Sequence, residues 1–282
     1  MLQFQDVSYV YGKNTPFELR AVDHVSFSVE KGKVTGIIGH SGSGKSTLAQ
    51  MMNALLKPTE GKVLLDGEDL HKDAAFSRAA RFRVGLVFQY PEYQLFEETV
   101  EADVAYGPKN MGLSDDEIKD RVRNAIRFTG LSDEILTCSP FELSGGQKRR
   151  VAIAGVIAMD PEILVLDEPA AGLDPKGRSE ILGGLMDYRR RRGNSMVLIS
   201  HSMEDIAEYS DTIVALSHGA LLCKGTPHEV FSRYDLLKES GLALPEVTEV
   251  MHKLATAGAP IDPALYTVDA AFDELLPKLV RK

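Results

Sequence analysis

The sequence predicts an α/β fold with a mainly parallel core sheet covered by helices on both faces. Two observations carry that prediction. Short apolar runs at Val34–Ile38, Val84–Phe88, Ile163–Leu166, Met196–Ser200 and Thr212–Leu216 have the length of buried strands. Stretches of helical character lie between them, above all from Pro175 to Arg192, and strands separated by helices build a mainly parallel sheet. A third observation adds chemistry. The run Val34–Ile38 leads directly into Gly39-His40-Ser41-Gly42-Ser43-Gly44-Lys45-Ser46, and a helix from Lys45 to about Leu55 follows. This is the strand–loop–helix context of a phosphate-binding loop.

Taken in order, residues 2–9 and 22–30 alternate apolar and polar side chains as strands do. Val63-Leu64-Leu65 before the turn Asp66-Gly67 adds another strand, so an antiparallel β-subdomain accompanies the core. From about Glu98 to Pro140 the pattern becomes helical. Ser114-Asp115-Asp116-Glu117 has capping-box spacing, and Ile118, Val122, Ala125 and Ile126 then share one helical face. We read residues 98–140 as a helical subdomain inserted in a nucleotide-binding core that spans 2–230. The run Arg189-Arg190-Arg191-Arg192 reads as a last helical turn, where cations complement the helix dipole, rather than as a basic binding patch. Residues 231–282 carry no recognised chemistry and form a C-terminal helical extension. Pro245 opens one helix with Val247, Val250, Met251 and Leu254 on one side, and a second carries Phe272, Leu275, Leu276 and Leu279. Such stripes usually pack on their own domain, and subunit contact is their other use.

The 282 residues suit one large α/β domain with an appended piece, and 44% hydrophobic residues suffice for its core. A net charge of −9 argues against a nucleic-acid binder, which needs a basic face to displace phosphate counterions. Cys138 and Cys223 have neither metal-ligand spacing nor a disulfide framework, as in a reducing cytoplasm. The first residues lack the pattern of a signal peptide, and no apolar run approaches the length of a membrane span. For any membrane process, another chain would have to hold this one in place.

The glycines of the loop let backbone amides wrap phosphates, and the helix beginning near Lys45 aims its positive end at them. Lys45 is expected on the β- and γ-phosphates of a nucleoside triphosphate, Ser46 on Mg²⁺ and Thr47 on the α-phosphate. Asp167 and Glu168 end an apolar strand, where adjacent carboxylates are costly without a cation or a reaction to serve. Asp167 suits Mg²⁺ through water, and Glu168 suits polarising an attacking water as general base.

Three further segments complete the pattern: Gln89, Leu143-Ser144-Gly145-Gly146-Gln147, and Gly172-Leu173-Asp174 with His201 beyond it. With them the chain resembles the ATPases of the ABC transporter family over about residues 2–230. That resemblance implies a P-loop NTPase fold of the ABC type. It makes Ser144, Gly145 and Gly146 a signature loop clamping the γ-phosphate held by an opposite subunit. Gln89 becomes a Q-loop residue completing Mg²⁺ coordination, Gly172-Leu173-Asp174 the D-loop, and His201 the switch histidine. Tyr11 is expected to stack on adenine, with Tyr9 as the competitor. Ala170-Ala171 before Gly172 is a mild departure from the family's D-loop.

A narrower resemblance follows Gln89. Tyr90-Pro91-Glu92-Tyr93-Gln94-Leu95-Phe96, continuing to Gly107-Pro108, is similar to the second (A-prime) ATPase of energy-coupling factor transporters and to cobalt-importer ATPases. It implies an ATP-hydrolysing subunit at the cytoplasmic face of the membrane, powering uptake of vitamins or transition-metal ions. Its implied partners are a second, related ATPase, a membrane coupling T component and a substrate-binding S component. Tyr93, Leu95 and Phe96 beside Glu92, Glu97 and Glu98 suit a groove for an arginine-bearing partner helix, unless they pack inside the helical subdomain. The rival readings are an ATPase of another importer, a soluble ABC protein for DNA or ribosome work, and a module that holds ATP without turnover. Glu168 and His201 together disfavour the last of these.

Overall fold

A computed structural model describes residues 1–279, and its strands form two sheets. The first begins with β1 (Leu2–Tyr11) and β2 (Leu19–Val29), which pair antiparallel with Leu2 opposite Val29 and Tyr11 opposite Leu19. Their inward side chains are buried, and the Phe4 and Phe27 rings stack with centroids 4.6 Å apart. Then β3 (Val34–Gly39), buried at every position, feeds the glycine loop and α1 (Lys45–Met52). This helix stops before the expected Leu55. Asn53 turns its amide onto the carbonyl oxygens of Val84 and Arg81, and Ala54 adopts a positive φ of 56°, so the chain leaves the helical path. Strands β4 (Glu60–Leu65) and β5 (Glu68–Asp69) complete the antiparallel sheet, in the order β2-β1-β4-β5.

The core sheet takes its far edge from β6 (Val84–Val87), reached through α2 (Ala74–Arg83). The chain then leaves the sheet for α3 (Val100–Asn110), α4 (Asp115–Phe128) and α5 (Gly145–Ile157). It returns as β7 (Ile163–Asp167), α6 (Pro175–Arg192), β8 (Ser195–Ile199), α7 (Met203–Tyr209), β9 (Thr212–Ser217) and β10 (Ala220–Gly225). The order across the sheet is β10-β9-β3-β8-β7-β6, parallel throughout except for β10. The first strand of the series, β3, therefore lies between later strands. Ligands in open α/β sheets bind at the carboxyl ends of strands beside such a switch in order. The ends of β3, β6, β7 and β8 deliver Gly39, Gln89, Asp167 and Ser200-His201 to one edge.

Within the helical body, Ser114 and Glu117 form the expected capping box, with the Ser114 N–H 3.0 Å from the Glu117 carboxylate. Ile118, Val122, Ala125 and Ile126 are buried. The packed helices run beyond Pro140, because α5 lies against both α3 and α4. The basic run ends α6 as read, stopped by Gly193 in the left-handed conformation.

The C-terminal segment holds α8 (Pro227–Phe231), α9 (Tyr234–Glu239), α10 (Glu246–Thr256) and α11 (Val268–Leu279). Its stripes depart from the expected inward packing. On α10 the buried pair is Thr248 and Met251, while Val250 and Leu254 face outward. On α11 the small Ala271 is buried, and Phe272, Leu276 and Leu279 are exposed. Thr248 earns its interior place by donating its hydroxyl to the Leu265 carbonyl at 2.9 Å.

Candidate active site

Six separated stretches of sequence converge on one cavity of about 350 Å³. Tyr11, Ser41, Gly42, Gly44, Lys45, Ser46, Thr47, Gln89, Asp167, Glu168 and His201 line it, joined by Leu19 and Ala21 of β2. Gly44 is required where it stands: its φ is +101°, and a Cβ there would collide with the Ala21 carbonyl. Lys45 folds back over the loop, its ammonium donating to the Gly39 and His40 carbonyls at 2.8 and 3.0 Å. The Tyr11 hydroxyl lies 3.2 Å from Thr47 Oγ1, and its ring packs edge-on against Tyr9. Tyr11 lines the cavity, whereas Tyr9 packs on the core behind it. Gly39, His40 and Ser43 belong to the loop without lining the cavity. Gly39 ends β3, Ser43 is fully buried beneath it, and the His40 ring rests on His218.

Burial sets the electrostatics. Asp167 and Glu168 are 5% and 8% exposed. Burial pushes the Asp167 carboxyl above its usual range, against a hydrogen bond from Ser46 and the nearby Lys45 charge. Glu168 is pushed up to about 7, first by burial and further by the Asp167 charge, although it accepts the His201 backbone N–H. Its Oε1 is buried without a hydrogen-bond partner, 3.3 Å from His201 Nε2. The residue also has a φ of +53°, a conformation that costs free energy for a non-glycine residue. Burial, with Lys45 close by, lowers the His201 imidazole, keeping it neutral near pH 7. The Lys45 ammonium is lowered by the same burial, with Glu168 and Asp167 opposing. Ser46, Asp167 and Gln89 all line the cavity, and Ser46 is hydrogen-bonded to Asp167, a set of oxygen-bearing side chains suited to a hard divalent cation. Phosphates would meet backbone amides, Lys45 and a helix N-terminus, with a poised carboxylate beside them.

A family model for the ABC transporter matches residues 22–171. Over 98% of its length and 96% of the relative's, the chain is 48% identical to the energy-coupling factor transporter ATP-binding protein EcfA2 of Clostridium tetani. The chain belongs to the ABC transporter family, among its energy-coupling factor ATPases. The EcfA2 protein of Symbiobacterium thermophilum is 50% identical over 95% of this chain and 93% of its own. Among solved structures, cbiO1 from Clostridium perfringens, part of the ABC transporter complex cbiONQ, matches with a TM-score of 0.75 at 37% identity. That match covers 89% of this chain and 98% of cbiO1. The ATP-binding cassette MJ0796, solved as a post-hydrolysis dimer bound to ADP and Pi, matches with a TM-score of 0.72 at 28% identity, covering 80% of this chain and 98% of its own. The chain is thus the ATPase of an energy-coupling factor importer, a subunit of a complex with membrane components. No helix among its described residues is long and apolar enough to cross a membrane.

One part of the ABC pattern stays apart from the cavity. Ser144 caps α5, its N–H donating to Gln147 Oε1 at 3.0 Å. With Gly146 it borders a second hollow of about 450 Å³ that also includes Asp174 and Lys176. A Cβ on Gly145 or Gly146 would meet nothing within 4 Å, so packing inside this chain does not require either glycine.

Beside that first cavity, and reaching Gly172 and Leu173, lies a third hollow of about 310 Å³, where Arg178 on α6 pairs with Asp205 on α7 at 2.7 Å. Sequence reasoning missed this pair, as it missed Leu19 and Ala21. The alternation of β2 was the available signal for the latter two. Glu92 is a correction. It was expected to offer its charge to a partner's arginine, but it is bound within this chain by Arg149 of α5, at 2.6 and 3.0 Å. Leu95 is buried in the helical body, while Tyr93 and Phe96 remain 85% and 57% exposed.

Proposed function

We propose that this chain binds MgATP in the cavity above the phosphate loop and completes the site of a second, related ATPase subunit with its signature loop. Lys45 and the loop amides hold the β- and γ-phosphates, Thr47 the α-phosphate and Tyr11 the adenine. Ser46, Asp167 and Gln89 hold Mg²⁺, which supplies charge neutralisation on the phosphates. Glu168 accepts a proton from the attacking water, and neutral His201, beside it, offers a hydrogen bond where charge develops on the γ-phosphate. In this reading the subunit sits peripherally at the cytoplasmic face of the membrane. Its T-component partner docks on the exposed aromatic face at Tyr93 and Phe96, next to Gln89, and an S component brings the vitamin or transition-metal ion.

The observation that carries the shared-site reading is the spacing of the two halves. The phosphate loop and the signature loop border different hollows, and both signature glycines face open space. A hydroxyl, two unhindered backbone amides and a helix N-terminus make a γ-phosphate clamp with no phosphate of its own chain to hold. The test mixes this chain carrying Ser144→Arg with an intact partner ATPase and labels each subunit with photoreactive ATP. The partner's site is expected to lose its label. Damage confined to this chain's own phosphate-loop site would refute the head-to-tail arrangement.

A further inference from the structure

We propose that Arg149 is a positioning residue for ATP hydrolysis, a buried joint that makes the segment after Gln89, the helix behind the signature loop and the loop after Glu168 move as one unit. The inference rests on the site reading above. Arg149 is 3% exposed and lies on α5, five residues beyond Ser144. Its Nε and Nη2 donate to the two carboxylate oxygens of Glu92 at 3.0 and 2.6 Å, and its Nη1 donates to the Ala171 carbonyl. Glu92 sits in the short helical turn Pro91–Gln94, three residues past Gln89. Ala171 stands three residues past Glu168, next to Gly172 of the D-loop. The same guanidinium lies 5.8 Å from the centre of the Tyr90 ring.

Stability alone does not account for this arrangement. Two charges removed from water are costly, and a well-packed apolar pair of similar volume would serve the fold as well or better. What the pair adds is geometry: a planar guanidinium grips a carboxylate through two parallel bonds and has a further donor for a third group, which neither lysine nor an apolar side chain can copy. Burial pushes the Glu92 carboxyl up, yet the Arg149 hydrogen bonds leave it below its usual range, so the pair stays charged. Each of the three segments adjoins a different part of the nucleotide machinery. A shift of α5, as its signature loop meets the partner's ATP, would carry through Arg149 to Gln89 on one side and to the backbone after Glu168 on the other.

The experiment uses the assembled transporter with three variants of this chain: Arg149→Lys, Glu92→Gln, and the double variant Arg149→Met with Glu92→Met. The double variant removes both buried charges together, so its melting temperature is expected to stay near that of the parent, with ATP affinity and KM within about threefold. Its kcat is expected to fall by about tenfold or more, because stability returns and the joint does not. Arg149→Lys keeps the charge without the fork and should recover only part of the rate. A double variant with parental kcat, or kcat that tracks melting temperature across the three variants, would reduce Arg149 to a structural residue and overturn the proposal. Lys45→Ala is the separate control for the site reading: persistent ATP binding there would fault that reading, whatever the Arg149 variants show.

Discussion

Glu168→Gln removes one negative charge, leaves the side-chain shape, and separates two consequences of the same burial. The Glu168 carboxyl is 8% exposed, and its pKa is pushed from the usual 4.5 to about 7. At 1.36 kcal/mol per unit, holding the charge there costs the folded protein about 3 kcal/mol once the pH exceeds the folded value. The sign follows from the direction of the shift. Below about pH 4.5 the carboxyl is protonated in both folded and unfolded chains, and the cost vanishes; it grows as pH rises toward 7 and is complete above it. In nucleotide-free, metal-free protein, Glu168→Gln should therefore raise the melting temperature by several degrees at pH 8 and by almost nothing near pH 4.5. In the assembled transporter the same change removes the group proposed to accept the proton of the attacking water, and ATP turnover should drop by about 100-fold or more while ATP still binds. Calorimetry at the two pH values and phosphate release from the complex read the two effects. Near-parental turnover would show that another group takes the proton. An unchanged melting temperature at pH 8 would show that the carboxylate is not buried at a cost.

Other substitutions test other parts of the argument. Lys45→Ala strips a charge-assisted contact from the phosphates and should weaken ATP binding by about tenfold or more, measured by titration calorimetry. Tyr93→Ser with Phe96→Ser should leave melting and ATP binding intact, since both side chains are largely exposed, but reduce pull-down of the membrane coupling subunit; full assembly would remove that face from docking. Glu92→Lys should destabilise the chain itself, by about 3 kcal/mol, because it strands the buried Arg149 charge against a second cation. Arg83 bridges Asp66 and Glu162 at the opposite end of the sheet. Its hydrogen bond holds Glu162 below the usual range, and for Asp66 the amino terminus does the same first, with Arg83 second. Depressed carboxylates stabilise above their unfolded values of 4.5 and 3.8 and lose that contribution as pH falls through the folded ones. Arg83→Gln should thus cost about 1 kcal/mol at pH 7, given the exposure of the acids, and progressively less as pH falls below the unfolded values of 4.5 and 3.8, by thermal melts across that range.

Most of the residues that line the cavity were legible because they stand at strand ends. An apolar run that stops at two carboxylates, as at Asp167 and Glu168, or at Gln89 or His201, identifies a polar group held by a rigid strand. Parallel strands bring such ends to one edge. The fate of neighbouring charges was not legible. Arg149 and Arg150 are adjacent and chemically identical, yet Arg149 is buried on Glu92 while Arg150 pairs with Glu180 near the surface. Helical periodicity places them 100° apart but does not reveal which side faces another segment. Likewise the apolar spacing of Phe272, Leu276 and Leu279 marked one face of α11 correctly, although that face turns outward.

The amino-acid sequence by itself therefore determined the fold class, the phosphate loop and the polar residues that end its strands, because local backbone preferences and apolar run lengths suffice for those. Tertiary structure alone decided that Tyr11 rather than Tyr9 lines the cavity, that Glu92 is already held by its own chain, and that the signature glycines face open space. Each of these depends on which distant segments come into contact, and contact is set by the packing of whole helices and sheets, which no local pattern encodes.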